Sequence, residues 1–344
     1  MKLLPELLSY DQVQRAIKGT RHLLLGNGFS IACDGIYSYP NLYERARPGM
    51  SERVMQVFEY LGTNNFEGVM RLLHDGSWLA IRYGADAPSN EMREDLEQVK
   101  KSLVDAIAHT HLQRPNEVGD DRLSRCVQFL DPYQNVFTVC YDLLLYWVAM
   151  HGLDKLKAQD GFRDDPEDRD ATYCVFREHV GGDKGIFFIH GALHIYVAEG
   201  QVRKHTWTKS NIPLIDGIQA AMNEGQFPLF VAEGDYRKKR DQILHNGYLD
   251  YCFGKLSRIK SPLVTFGFSF GDTDAHISKT IVECGDVAEI YVGLHQPQSE
   301  AGQATRAAAN RLSDARQRFI KRGGSGKPLK VHFFDAATCA VWGQ

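Results

Sequence analysis

Four short stretches of the 344-residue chain carry residue types that could do chemistry. The first is Leu25-Gly26-Asn27-Gly28-Phe29-Ser30, between a run of leucines and a helical pattern. A strand-to-helix turn of this kind aims backbone N–H groups at an anion, and glycines let a phosphate come close. The pattern is G-x-G-x-S, without the third glycine of the usual dinucleotide fingerprint, so a plain tight turn fits it as well. The second is Phe137-Thr138-Val139-Cys140-Tyr141-Asp142, where Asp142 is placed either for a sugar hydroxyl or to cap the helix that follows. The third is Phe188-Ile189-His190-Gly191. Imidazole titrates near neutral pH, so His190 can act as a general base, and His194 can share or replace that role; a structural role fits either histidine. The fourth runs from Thr265 through Gly267, Phe268, Ser269, Phe270, Gly271, Asp272, Thr273 and Asp274 to His276 and Ile277. Gly267 and Ser269 can face a ribose or a phosphate, and Asp272 or Asp274 can cap the next helix, with His276 in its first turn.

The elements that position these groups follow from the hydrophobic pattern. Apolar runs recur at 22–26, 135–140, 185–190, 228–232, 262–267, 288–293 and 329–334. Continuous runs, rather than strict alternation, predict strands covered on both faces, as in a parallel sheet with helices above and below. All four stretches lie at or just beyond the carboxyl end of such a run, the side on which open α/β sheets bind ligands. Apolar positions at three- and four-residue spacing over 50–82 and 91–112, with 120–130, predict a helical insertion at 50–130 after the first strand. Further helices are expected over 236–260 and 298–323. The charged segment 157–184, with Asp164, Asp165, Glu167, Asp168 and Asp170, reads as an exposed excursion. The expected architecture is one α/β domain over 1–344, with a Rossmann-like, mostly parallel sheet and helices on both faces.

Composition sets outer bounds. The formal net charge of −3 offers no global attraction to nucleic acid or to anionic lipid. Seven cysteines, at 33, 126, 140, 174, 252, 284 and 339, form no C-x-x-C pair, so no residue set is assigned to a metal. A dispersed, odd count fits reduced thiols in a cytoplasm. The first residues lack a signal-peptide core, and no apolar run approaches the roughly 20 residues of a membrane helix. Neither a membrane nor a nucleic acid is an expected partner.

Taken in order, G-x-G-x-S, T-x-x-Y-D, H-G and G-x-S-x-G-D-x-D-x-H-I resemble the sirtuin-like superfamily in its bacterial NAD-binding and NAD-hydrolysing branch. Within that branch the chain is most similar to the domain of unknown function 4917 family, and the resemblance runs from about Leu23 to Phe334. It implies NAD, as substrate or ligand, across the strand ends. Gly26, Asn27, Gly28, Phe29 and Ser30 would form the nucleotide loop, with Gly267, Ser269 and Asp272 on the ribose side. His190 would be the catalytic histidine and Asp142 the acidic partner at the second strand end. The zinc-binding cysteine pairs of deacylating sirtuins are absent, which implies the bacterial type that hydrolyses NAD in defence against phage.

The chain departs from that pattern at Cys140, where the family has Asn. A thiol cannot supply an amide's paired donor and acceptor. Three readings stand: a tolerated variant, with Asn27 or His190 placing the water; a module that binds NAD or ADP-ribose without cleaving it; or a role for the thiol itself. The basic run within 232–240 can reach phosphates or form a solvated helix face. Trp207 and Tyr236 can stack on an adenine or simply pack. A second copy of the chain, or a separately encoded activator, is the expected trigger.

Overall fold

The structure, a computed structural model, describes residues 7–38, 42–64, 66–178, 184–209, 212–231 and 236–343. In chain order its strands are β1 (His22–Leu25), β2 (Asn135–Thr138), β3 (Phe162–Asp164), β4 (Tyr173–Phe176), β5 (Gly185–Phe188) and β6 (Gly191–Ala198). Then follow β7 (Gln201–His205), β8 (Pro228–Phe230), β9 (Leu263–Phe266), β10 (Glu289–Leu294) and β11 (Lys330–Asp335). The helices begin with α1 (Tyr10–Ala16), α2 (Gly28–Cys33), α3 (Leu42–Ala46), α4 (Glu52–Leu61), α5 (Phe66–Arg82), α6 (Asp86–Thr110) and α7 (Asp120–Leu130). They continue with α8 (Leu144–His151), α9 (Leu153–Leu156), α10 (Leu214–Asn223), α11 (Tyr236–Leu244), α12 (Gly247–Ser257), α13 (Ala275–Glu283) and α14 (Glu300–Lys321).

Six strands form an all-parallel sheet in the order β11-β10-β9-β1-β2-β5, with helices on both faces. These are six of the seven apolar runs, and β1, β5 and β9 are buried at every position, as strands covered on two sides must be. Counted along the chain, the strand order is 3-2-1-4-5-6 read from β5 to β11, the doubly wound order whose direction of growth reverses between the first and fourth strands. That reversal falls between β1 and β9. The register brings four strands to a common end: Leu25 lies opposite Thr138 and Phe266, and Thr138 opposite Phe188. Whatever follows these residues therefore meets in one row.

The seventh run corrects the expectation. β8 joins a separate antiparallel sheet, β3-β4-β7-β6-β8, pairing with β6 at Gly191 and Tyr196 through a broken register. It is three residues long, so its apolar character alone could not say which sheet it would enter. The segment 157–184 also differs from the expected excursion, because it holds β3 and β4. Burial is uneven along those strands: Phe162 and Val175 are buried, while Asp164 at the end of β3 is exposed. The predicted helical stretch contains α4 to α7. Its last helix lies on the parallel sheet, where the Phe129 ring sits 5.4 Å from that of Phe266. A single cluster of buried side chains connects both sheets and the helices. All seven cysteines are free thiols, and six are buried. Among the described residues, no helix is long and apolar enough to cross a membrane.

Two histidines inside the sheets make stability depend on pH. His22 is buried in β1, with Nδ1 lacking a partner. His205 in β7 stacks on Tyr196 at 4.2 Å. Burial pushes each imidazole down to about 4. Unfolded histidines take up a proton near 6.5, whereas these folded ones do not until about 4. Stability should thus be level above about pH 6.5 and fall as pH drops toward 4, each histidine contributing a slope of up to about 1.4 kcal/mol per pH unit. Urea unfolding between pH 4.5 and 8 should show this decline, and His22→Leu should make it shallower, with the other buried histidines keeping the remainder. An unchanged slope in that variant would contradict a neutral, buried His22.

Candidate functional site

The loops after β1 and β9 cross with backbone against backbone. Gly26 donates its N–H to the Phe266 carbonyl and Gly28 to the Gly267 carbonyl, each at 3.0 Å. A Cβ on Gly26 would stand 2.4 Å from the Gly267 oxygen, and one on Gly28 would stand 2.6 Å from the Gly267 Cα. Gly267 itself has φ +67°, and its Cβ would fall 2.5 Å from the Phe29 nitrogen. The glycines predicted to admit a phosphate are therefore used first to let two chain segments pass. The Phe29 and Ser30 amides donate to the Gly26 and Asn27 carbonyls. Phe29 turns its ring into the core, 4.9 Å from the Trp342 ring, and the Trp342 indole donates to the Phe29 carbonyl at 2.8 Å. Of this loop, Asn27 is the residue exposed to solvent.

Ser30 is fully buried, and its hydroxyl donates to Asp142 Oδ2. The other Asp142 oxygen accepts the Leu144 N–H at 2.9 Å at the start of α8. Asp142 thus ties Ser30, the third residue of α2, to the end of β2. His111 supports it from behind, accepting the Leu143 N–H on Nε2 at 2.9 Å, with its ring edge-on to Trp147. No spacing in the sequence marked His111, because it comes from the end of α6, more than 30 positions away. Cys140 is also buried. Burial, then the Asp142 charge, pushes its thiol up to about 12. It is a protonated, inert group at neutral pH.

His190 occupies the corner where the chain leaves the parallel sheet for the antiparallel one. Gly191 makes the corner at φ +72°, where a Cβ would collide with the Leu229 carbonyl oxygen. The His190 ring is buried, and its Nε2 lies 2.9 Å from Nε2 of His276, with ring centres 5.1 Å apart. Burial pushes His190 down to about 3 and His276 to about 4, so both are neutral at pH 7. Asp274, two residues before His276, brings a carboxylate oxygen near both rings. It also pairs with the Lys239 ammonium at 2.9 Å. His194 points elsewhere, into the core beside Tyr146 and Phe188.

Ser269 and Asp272 are exposed on the β9 loop, Ser269 between the buried Phe268 and Phe270, whose rings pack edge-on at 4.8 Å. The basic run divides: 232–235 lie outside the described residues, Arg237, Lys238 and Arg240 are exposed, and Lys239 is buried against Asp274. Helical spacing was the signal, since Lys239 and the buried Ile243 are four apart on one face of α11. Trp207 is remote from these groups in contact terms. It lines a cleft of about 770 Å³ with Tyr146, Trp147, Met150, Ile212 and Leu214, and none of Asn27, Ser30, Cys140, Asp142, His190, Ser269, Asp272, Asp274 and His276 lines that cleft.

The fold and site define a doubly wound α/β protein with polar groups gathered at the sheet's switch point. The chain belongs to the family described as domain of unknown function DUF4917, whose model matches residues 23–342. No curated protein matches it.

The loop crossing makes a sharp contrast between neighbouring glycines. Gly267→Ala forces a left-handed conformation and a backbone collision, and should cost about 3 kcal/mol or more. At Gly271 an added Cβ meets only side-chain atoms at 3.6 Å and beyond, so Gly271→Ala should fall within about 0.5 kcal/mol of the parent. Equal urea midpoints for the two variants would contradict the crossing.

Proposed function

We propose that the chain is a sirtuin-like NAD hydrolase of the bacterial cytoplasm, releasing nicotinamide and ADP-ribose, in defence against phage. The observation that carries the reading is the reversal of strand order between β1 and β9, the two strands whose glycine loops interlock. In open α/β sheets a crevice forms outside the carboxyl ends at such a point, and nucleotides bind there. Asn27, Ser269, Asp272 and Thr273 are exposed polar residues on the two loops that would border it.

Hydrolysis breaks the bond between the ribose C1′ and the nicotinamide nitrogen, and the electron pair leaves with neutral nicotinamide. Water attacks C1′ as positive charge develops on the ribose, and its proton must go to a base. We assign that proton to His190 Nε2, which is neutral at pH 7 and carries a lone pair once His276 gives way. Ser30 and Asp142 hold the loop geometry, and Cys140 is a small buried group at the position of the family's Asn. A second copy of the chain or a separately encoded activator would supply the trigger.

A second reading has its own support. His190 Nε2 is engaged by His276, Cys140 offers no amide, and the Gly28, Phe29 and Ser30 amides are already bonded. These features suit a regulatory or scaffold module that binds NAD or ADP-ribose without cleaving it.

The test is incubation of purified protein with NAD, following nicotinamide and ADP-ribose by chromatography. Nicotinamide release in the parent and at least a 100-fold loss in His190→Ala are expected. Full turnover in that variant would remove His190 from the mechanism, and calorimetric binding without release would favour the second reading.

A further inference from the structure

His190, His276 and Asp274 come together from two places in the chain: the corner after β5, and the start of α13 with the turn just before it. We propose that these three side chains form a site for one divalent transition-metal ion of the zinc type. One ligand atom from each lies within 4.8 Å of the other two, and the histidine Nε2 atoms are 2.9 Å apart. Two imidazole nitrogens held by one ion at about 2.0–2.1 Å stand roughly 2.8–3.4 Å apart across angles of 90° to 109°. The observed separation falls within that range, toward its right-angled end.

The surroundings fit ligation. The Val139 carbonyl hydrogen-bonds the His190 ring. With that proton on Nδ1, Nε2 keeps its lone pair facing His276, and a backbone carbonyl of this kind commonly fixes a metal-binding histidine. Both rings are at most 4% exposed, so water does not compete for them from the surface. Three protein ligands leave a further position open. Two nitrogens and one carboxylate suit Zn²⁺, Co²⁺ or Ni²⁺ and do not suit Mg²⁺ or Ca²⁺, which require oxygen shells.

The nearest cation opposes the ion. The Lys239 ammonium sits 2.9 Å from Asp274 Oδ1, repels a cation and occupies one carboxylate oxygen. The site is therefore weaker than its ligands alone would make it, and removing Lys239 should strengthen it. This sign separates a metal site from a hydrogen-bonded histidine pair, for which Lys239 would have no such effect on ion affinity.

The proposal stands apart from the NAD reading, because an ion on His190 Nε2 would take the lone pair assigned there to a proton. Its test uses the metal alone. The full chain, stripped with a chelator, is titrated with Zn²⁺ by calorimetry and with Co²⁺ by visible absorption. One equivalent should bind the parent, with a Co²⁺ band above 500 nm. His276→Gln should lose the band, and both His276→Gln and Asp274→Asn should bind at least tenfold more weakly, with folding checked by circular dichroism. Lys239→Met should bind at least threefold more tightly. Absence of one-equivalent binding by the parent, or equal affinity in the parent, His276→Gln and Asp274→Asn, would overturn the site. If His276→Gln does not fold, Asp274→Asn and Lys239→Met decide: unchanged affinity in both would overturn it.

Discussion

Where β1 and β9 end, two segments of backbone cross with no space between them for a single Cβ. The rest of the site depends on this contact. Common register brings β1, β2, β5 and β9 to one level, so the residues that follow them are forced into a shared row. Glycine at 26, 28 and 267 lets the row close. Once it closes, Ser30 is positioned to meet Asp142, and the β9 loop turns back into α13 with Asp274 and His276 beside His190. The local backbone costs of such a crossing, a positive φ at Gly267 and another at Phe270, are held by the buried Phe268–Phe270 pair and by Phe29 beneath.

Burial then decides the chemistry of the side chains. Taking an imidazole or a thiol out of water disfavours its charged form. Hence His190 and His276 are neutral and Cys140 keeps its proton. Asp274 is the exception: burial opposes its charge, but the Lys239 ammonium, by charge and by hydrogen bond, holds its carboxyl below the usual range. The outcome is one buried ion pair, Lys239 with Asp274, beside two neutral nitrogen bases. Breaking such a pair by removing one partner leaves an uncompensated charge, which ties α11 to the turn before α13.

The parallel sheet was legible in the sequence because strands covered on both faces are apolar without interruption. The antiparallel sheet was less so: Arg203 and Lys204 in β7 carry charge, and Lys204 is buried only because Asp160 pairs with it. The G-x-G-x-S, strand-end Asp and His-Gly stretches could be placed at the carboxyl ends, since each follows an apolar run. What sequence could not give is how the polar atoms are shared. Asp142 serves Ser30 and α8 at once, His190 faces His276 from 86 positions away, and Lys239 turns inward from a run whose neighbours are solvated. Such pairings depend on the closed fold and leave no local pattern.

The central claim is that the crevice at the switch point between β1 and β9 receives the nucleotide. Amide hydrogen exchange with and without saturating ADP-ribose tests it most directly, because it locates binding whether or not NAD is cleaved. The account predicts slowed exchange in peptides covering 26–31, 139–144 and 267–274. Slowing confined to the cleft lined by Trp147 and Trp207, or none in those three segments, would contradict it.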